Sequence, residues 1–424
     1  MVWMMILLLF ILFLCGVPIT FSLGVASLVG LLLMDVPLLV IAQRLWTAVD
    51  TFTLVAVPLF ILAGDLMSRG GISRRLVDFA QALVGHLTSG LAMVAVVACM
   101  FFAAVSGSAV ADAAAIGGLL IPTMIAQRYH PTFTASLVAA AGTIGPIIPP
   151  SIPMVLYGSM TSTSIAMLFA GGFIPGVLMG VSLMAYSFHI GKQRGYKGRE
   201  QRATLTEIVR GFLNAFLAML MPGIIIGGII SGIFTPTESG VVAVIYALIL
   251  SLFVYRELDW RELPRIFYET GLLTGKILFI LGTASIFSWI LTVQGVPQQV
   301  AATVTSLRLG WVGTLLVINL ILLVVGTFID TISALLIFTP ILLPLATSVG
   351  VDPIHFGIIF SVNLTIGMIT PPVGVVLFVT SAIAKLTIRE MMRDLTPMIF
   401  LLIGVLAVIT FCPALVMFVP NLLK

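Results

Sequence analysis

Two acidic residues lie deep within apolar stretches of this sequence. Asp112 occurs in AVADAAA and Asp330 in GTFIDT. An ionisable side chain in such a setting is costly and is a candidate for function by default. Asp330 could coordinate a cation, carry a proton or hold a turn through its backbone. Asp112 follows Ser108 by four residues, so stabilisation of a helix start is its simplest explanation, and we rank Asp330 above it.

A group of small polar residues, Ser106, Gly107 and Ser108, interrupts the apolar region 87–126. These residues permit a tight turn, and a helix that restarts after them would present free N–H groups and the positive end of its dipole to an anion. The carbonyl groups that end the preceding helix suit a hard cation such as sodium. The alternative is a kinked helix whose serines bond back to their own backbone.

Two segments with the pattern T-I-G-x-I-x-P-P predict broken helices, AAAGTIGPIIPPS at 139–151 and SVNLTIGMITPPVG at 361–374. Glycine and paired proline remove hydrogen-bond donors and interrupt a helix. Carbonyl and side-chain oxygens near the breaks would then be available to a cation, and the hydroxyls of Ser151 and Thr370 to a substrate. A proline kink that serves packing alone is the alternative, but it explains two matching breaks poorly.

Other chemistries have little support. The four histidines and three cysteines have none of the spacings of a metal or catalytic site, and no phosphate-binding loop is present. We therefore expect no ATP hydrolysis, no ATPase partner and no nucleic-acid partner. An intramembrane aspartyl protease that uses Asp112 and Asp330 is an alternative, although neither residue has the G-x-G-D context of such enzymes.

The composition indicates what must position these residues. Of 424 residues 60% are hydrophobic and 8% are charged, which excludes a soluble fold. Runs near the 20 residues that a membrane helix needs predict an all-α polytopic protein with two re-entrant hairpins, 87–126 and 312–347, and ten full crossings. The crossings are 1–15, 19–34, 46–68, 131–160, 165–190, 212–232, 238–254, 268–293, 353–383 and 397–418.

The basic residues predict the orientation. With both termini outside, 16 of the 20 lysines and arginines fall in cytoplasmic segments, as the positive-inside rule requires. Three others, Arg44, Arg308 and Lys424, are predicted outside, and Lys276 lies within a span.

Internal similarity predicts two copies joined by the basic linker 191–211. Asp112 and Pro122 match Asp330 and Pro340 at an offset of 218, whereas the T-I-G-x-I-x-P-P segments match at 222, so we infer a four-residue insertion. The first copy (1–190) has scaffold helices at 1–68, the hairpin 87–126 and the broken helix 131–160. The second (212–424) has scaffold helices at 212–293, the hairpin 312–347 and the broken helix 353–383. Because one copy starts outside and the other inside, the repeats are predicted to be inverted, an architecture of secondary transporters.

Several motifs resemble one family along nearly the whole chain: VPLFILAGDLMSRGGIS (57–73), VSGSAVADAAAIG (105–117), IIPPSIPMVLYG (147–158), GIFTPTESG (232–240) and TIGMITPPVG (365–374). They are similar to the large membrane subunit, the DctM-type permease, of tripartite ATP-independent periplasmic (TRAP) transporters. The resemblance implies a non-enzymatic symporter that uses sodium to import an organic acid across a bacterial inner membrane. Its fold would be an elevator fold like that of the ion-transporter superfamily.

The resemblance also implies partners and site residues. The partners are a small membrane subunit, expected here as a separate DctQ-like protein, and a periplasmic substrate-binding protein. The acid could be a C4-dicarboxylate, a keto or sugar acid, or a sialic acid, and an anion channel is the remaining alternative. The substrate residues would be Ser106, Ser108, Ser151, Asp330 and Thr370. The sodium ligands would be Ser106, Ser108, Gly142, Gly145, Gly326, Asp330, Asn363, Thr365 and Gly367.

Overall fold

The computed structural model describes residues 2–199, 201–296, 298–299, 302 and 309–423, and within these ranges the chain forms helices and no strands. The helices are α1 (Val2–Leu14), α2 (Ile19–Leu33), α3 (Leu39–Val49), α4 (Ala56–Arg69), α5 (Ile72–Val84), α6 (Gly90–Ser106), α7 (Ala109–Ala126), α8 (Pro131–Gly142), α9 (Ile152–Thr161), α10 (Ile165–Arg194), α11 (Leu205–Ile230), α12 (Pro236–Leu248), α13 (Leu263–Val293), α14 (Gly310–Phe328), α15 (Thr331–Ser348), α16 (Pro353–Gly367), α17 (Val375–Ala384), α18 (Ile388–Phe411) and α19 (Pro413–Leu422). A 3-10 turn at Phe52–Val55 leads into α4.

Nine helical segments in the described ranges are long and apolar enough to cross a membrane, so the predicted all-α membrane fold is confirmed. Two predicted crossings are wrong in detail. The predicted crossing at 46–68 is not one helix. Its first residues belong to the end of α3, which stops at Val49, and a new helical segment begins at Phe52. The one at 397–418 is divided at Cys412, since Pro413 cannot continue the hydrogen bonding of α18 and starts α19 instead. Arg308 and Lys424, both predicted outside, lie beyond the described residues.

The structure corrects the alignment of the two halves. Adding 222 to the bounds of α7 (109–126) gives 331–348, which are the bounds of α15, and adding it to the last residue of α6, Ser106, gives Phe328, the last residue of α14. A single offset of 222 thus covers both hairpins and both broken helices, and the inferred insertion is wrong. Ser108, which caps α7, corresponds to Asp330, which caps α15. Asp112 corresponds to Ala334, so the two acids are not equivalent.

The helices pack so that each broken helix lies against both hairpins. The first hairpin, α6 and α7, packs on α8 and also on α17, while the second hairpin, α14 and α15, packs on α16 and α9. A second group of contacts joins α4 to α12 and α13 to α2, α3 and α4. The two groups meet along a seam in which α4 and α13 contact α6, α9 and α15.

Candidate transport site

The tip of the first hairpin rests against the first broken helix. The α6 helix ends at Ser106, Gly107 has a φ of +61°, and Ser108 caps α7 by accepting a hydrogen bond from the Ala111 amide at 3.4 Å. A Cβ atom at Gly107 would lie 2.6 Å from the carbonyl oxygen of Pro150. Position 107 therefore requires glycine for two reasons, the left-handed backbone conformation and the close contact with Pro150.

Asp112 is fully buried at the junction of this tip with the break. Its Oδ1 accepts a hydrogen bond from the Ser106 hydroxyl, which in turn accepts one from the Ser108 amide at 3.2 Å. Its Oδ2 has no hydrogen-bond partner among the described residues. A Cβ atom at Gly145 would lie 2.7 Å from Oδ2 and 2.9 Å from the Ser108 carbonyl oxygen. These oxygens converge in a buried position where an unpaired carboxylate oxygen is costly and where a hard cation would compensate it.

The other polar groups of the first break are in contact with the break itself or with the first hairpin. A Cβ atom at Gly142 would lie 3.1 Å from the carbonyl oxygen of Ala109 in the hairpin. The Ser151 hydroxyl donates to the Pro146 carbonyl at 2.5 Å and accepts from the Met154 amide at 3.3 Å, so it caps α9. Ser151 is fully buried. The structure therefore places this predicted substrate contact inside the break, where it does not itself line the cavity described below, although Pro146, Ile152 and Pro153 do.

The second hairpin meets the second break through bare backbone. A Cβ atom at Gly367 would lie 2.5 Å from the Cα of Gly326. Asn363 donates from Nδ2 to the backbone oxygen of Asn319 at 3.0 Å and to its Oδ1 at 2.8 Å. Asn363 Oδ1 is buried and has no partner within the described chain. A second unsatisfied oxygen thus lies at a hairpin-to-break contact, as Asp112 Oδ2 does in the first half.

Two threonines in the second break already donate their hydroxyl protons to backbone carbonyl groups. Thr365 donates to the Val362 carbonyl and Thr370 to the Ile366 carbonyl, each at 2.8 Å. Their oxygens can still accept a hydrogen bond or bind a cation. Thr370 is not among the residues that line the cavity.

Both hairpin tips open onto one cavity of about 460 Å³. Ser106, Gly107 and Ser108 line it from one side, and Asp330 and Ile332 from the other. Asp330 caps α15, its Oδ1 accepting from the Ser333 amide at 3.1 Å. The first turns of α7 and α15 both face this space. Two helix N-termini that converge on one cavity favour an anion within it.

Two residues of α4 that sequence reasoning did not assign to the site complete it. Gly64 allows α4 to approach the tip, since a Cβ atom there would lie 3.3 Å from the Ser106 carbonyl oxygen. Asp65 lines the cavity and accepts a hydrogen bond from Thr270 on α13 at 3.4 Å. The sequence predicts an interfacial position for Asp65, near the end of a span, whereas the structure places it in the lining of the cavity. The motif AGDLM, an acid four residues before Arg69 in an apolar helix, is the signal that could have identified it.

Comparison with known proteins places these features in a family. Residues 6–415 match the model for the tripartite ATP-independent periplasmic transporter, DctM component. The chain is 44% identical over 404 residues to the isethionate TRAP transporter permease protein DctMQ of Oleidesulfovibrio alaskensis, covering 95% of this chain and 64% of that relative. It is 42% identical over 381 residues to the C4-dicarboxylate TRAP transporter large permease protein DctM of Pseudomonas aeruginosa, covering 90% and 89%.

A solved structure shares the fold. The transporter MtrF of Neisseria gonorrhoeae, from a class of antimetabolite efflux pumps, superposes with a TM-score of 0.59 over 97% of this chain and 94% of its own, at 16% sequence identity. That likeness concerns the fold alone.

Proposed function

This chain belongs to the DctM family, the large membrane component of tripartite ATP-independent periplasmic transporters, and we propose that it couples sodium entry to the import of an organic acid. The family assignment confirms the resemblance found in the sequence. It also makes the chain an integral membrane transporter and not an enzyme, which removes the protease alternative.

The observation that carries the proposal is the cavity between the two hairpin tips. The helix starts at Ala109 and Thr331 provide backbone N–H groups and positive dipole ends for a carboxylate or similar anion, and the hydroxyls of Ser106 and Ser108 lie beside them. The relatives are named for different acids, isethionate and C4-dicarboxylates. We therefore propose an organic acid as the substrate class.

Sodium has a physical role in this arrangement. The carboxylate of Asp330 lines the cavity and would repel a bound anion in the absence of a cation. A sodium ion near each hairpin-to-break contact would offset that repulsion, so that ion and acid each favour binding of the other. The first sodium would be held by oxygens of Ser106, Ser108, Asp112 and Gly145, and the second by those of Gly326, Asp330, Asn363, Thr365 and Gly367.

Transport would then proceed by movement of the hairpins and broken helices against α4 and α13, the elevator mechanism. The proposed partners are a small membrane subunit and a periplasmic binding protein that delivers the acid. The proposed location is a bacterial inner membrane, with both termini in the periplasm.

Reconstitution tests this function. Proteoliposomes that contain the complete complex should take up a radiolabelled acid from a panel of isethionate, succinate and N-acetylneuraminate, saturably and only when the binding protein is present. A channel would instead give single-channel currents and no requirement for the binding protein, and that result would contradict the proposal.

A further inference from the structure

A second cavity, of about 390 Å³, lies farther along the same seam. Its lining includes the hydroxyl-bearing side chains of Thr47, Thr51, Ser159, Ser285, Ser288 and Thr339. No charged side chain is found among the described residues that line it. This cavity therefore differs in chemistry from the first, which contains two carboxylates.

Three helices, α9, α13 and α15, line both cavities. On α13, Leu273 and Ile277 face the first cavity, whereas Ser285 and Ser288 face the second. From Leu273 to Ser288 is about 22 Å along a helix that rises 1.5 Å per residue. The second cavity thus lies at the other end of the seam, and the apolar side chain of Leu281 lines it on the side toward the first.

A third cavity, of about 600 Å³, connects this end of the seam to the loops. It shares Thr51 and Ser159 with the second cavity and reaches Ser162 and Ser164, between α9 and α10, and Phe234, between α11 and α12. The positive-inside distribution of basic residues predicts both loops outside. The first cavity adjoins the opposite end, where Arg69 pairs with Glu269.

Several hydroxyls of the second cavity are free to donate. Thr339 is 2% exposed, and its Oγ1 has no partner in the part of the chain that is described. The Ser285 and Ser288 hydroxyls form no hydrogen bond within the same ranges, in contrast to Thr47, which donates to the Gln43 carbonyl at 2.9 Å. A buried hydroxyl without a partner is unfavourable unless water or a ligand reaches it.

We propose that the second and third cavities form the outer access path, through which the organic acid reaches the hairpin tips when the hairpins shift along α4 and α13. This inference rests on the proposed function and adds the residues of the route. Hydroxyl donors can bind carboxylate oxygens, and the absence of a cationic side chain keeps that binding weak. A passage has to bind its cargo weakly enough to release it again.

The test either blocks the path with a large side chain or removes one of its hydroxyl groups. Two quantities are measured for each variant. Ser288→Phe places a ring in the second cavity, and Thr339→Val removes one hydroxyl at constant shape. The matched control is Val293→Phe on α13, which is exposed and, five residues from Ser288, lies on a different face of the helix. For each variant, uptake of the acid that the wild-type complex transports from the panel is measured in proteoliposomes. Binding of that acid to the detergent-solubilised complex is measured by sodium-dependent thermal shift.

Ser288→Phe should lower uptake more than tenfold and Thr339→Val severalfold, both with unchanged binding in detergent, while Val293→Phe should transport normally. Near-normal uptake by Ser288→Phe overturns the path. If the complex with Ser288→Phe does not assemble, the test depends on Thr339→Val. Normal uptake by that variant would overturn the proposed access path. Absence of uptake by the wild-type complex contradicts the proposed function instead, so the two failures are distinguishable.

Discussion

The carboxylate of Asp112 lies directly against the backbone of Gly145, where a Cβ atom would be 2.7 Å from Oδ2. Gly145→Ala should therefore displace the carboxylate and lower sodium affinity by about tenfold or more, which corresponds to about 1.4 kcal/mol. The measurement is sodium-dependent thermal stabilisation of the purified complex. Gly118→Ala on α7 is the control, because a Cβ atom at Gly118 meets nothing within 4 Å. An unchanged sodium response in Gly145→Ala would remove this position from the ion site.

Asp112→Asn tests the charge itself. The amide keeps the size of the side chain and an oxygen that can accept from Ser106, but it lacks the negative charge that a bound cation requires. We expect sodium affinity to fall by at least about tenfold, the usual scale for loss of a charged hydrogen-bonding or coordinating group. Asp35→Asn, in the turn after α2, serves as the control. Identical sodium titrations for Asp112→Asn and the wild-type protein would show that the buried carboxylate is structural only.

Asp330 caps α15, and we propose that its charge also helps to bind sodium. Two substitutions separate these roles. Asp330→Ala removes both the charge and the cap of α15, and loss of a cap costs about 1 kcal/mol. Asp330→Asn retains a capping oxygen and loses only the charge. Both variants should lose most sodium-dependent uptake while the complex stays assembled, and the Asn variant should keep the wild-type apparent Tm. Near-normal uptake by Asp330→Asn would show that the charge is dispensable.

The contact of Gly326 with Gly367 should tolerate no side chain. Gly367→Ala puts a methyl group 2.5 Å from the Cα of Gly326, so the second hairpin and the second break must separate. Overpacking of this kind costs about 1–3 kcal/mol, and the apparent Tm should fall. Gly404→Ala in α18, where a Cβ atom has open space, should leave Tm unchanged or raise it slightly. Equal Tm values for the two variants would contradict the tight contact.

The sequence was sufficient to predict the elements but not their pairing. Ser106 to Ser108 and the T-I-G-x-I-x-P-P segments have strong local conformational preferences, so the tips and breaks were predicted where the structure has them. The offset of 218 relied on two acids and two prolines. The structure replaces it with 222, because helix bounds are fixed by capping positions such as Ser108 and Asp330, and not by residue identity.

The directions in which the site side chains point could not be predicted from the sequence, for a physical reason. Ser151 precedes a helix like Ser108, yet its hydroxyl donates into its own break at Pro146, whereas Ser108 lines the cavity. Asp65 joins the site only because Gly64 lets α4 approach the first hairpin. Both outcomes depend on contacts between segments far apart in the chain, which local patterns do not encode.

We propose that this transporter moves sodium and an organic acid together. The most direct measurement follows ²²Na⁺ and the radiolabelled acid simultaneously in proteoliposomes that contain the wild-type complex and the binding protein. We expect acid-dependent ²²Na⁺ influx, and acid uptake that disappears when potassium or choline replaces sodium. Acid uptake at an unchanged rate without sodium, and with no acid-dependent ²²Na⁺ influx, would contradict it.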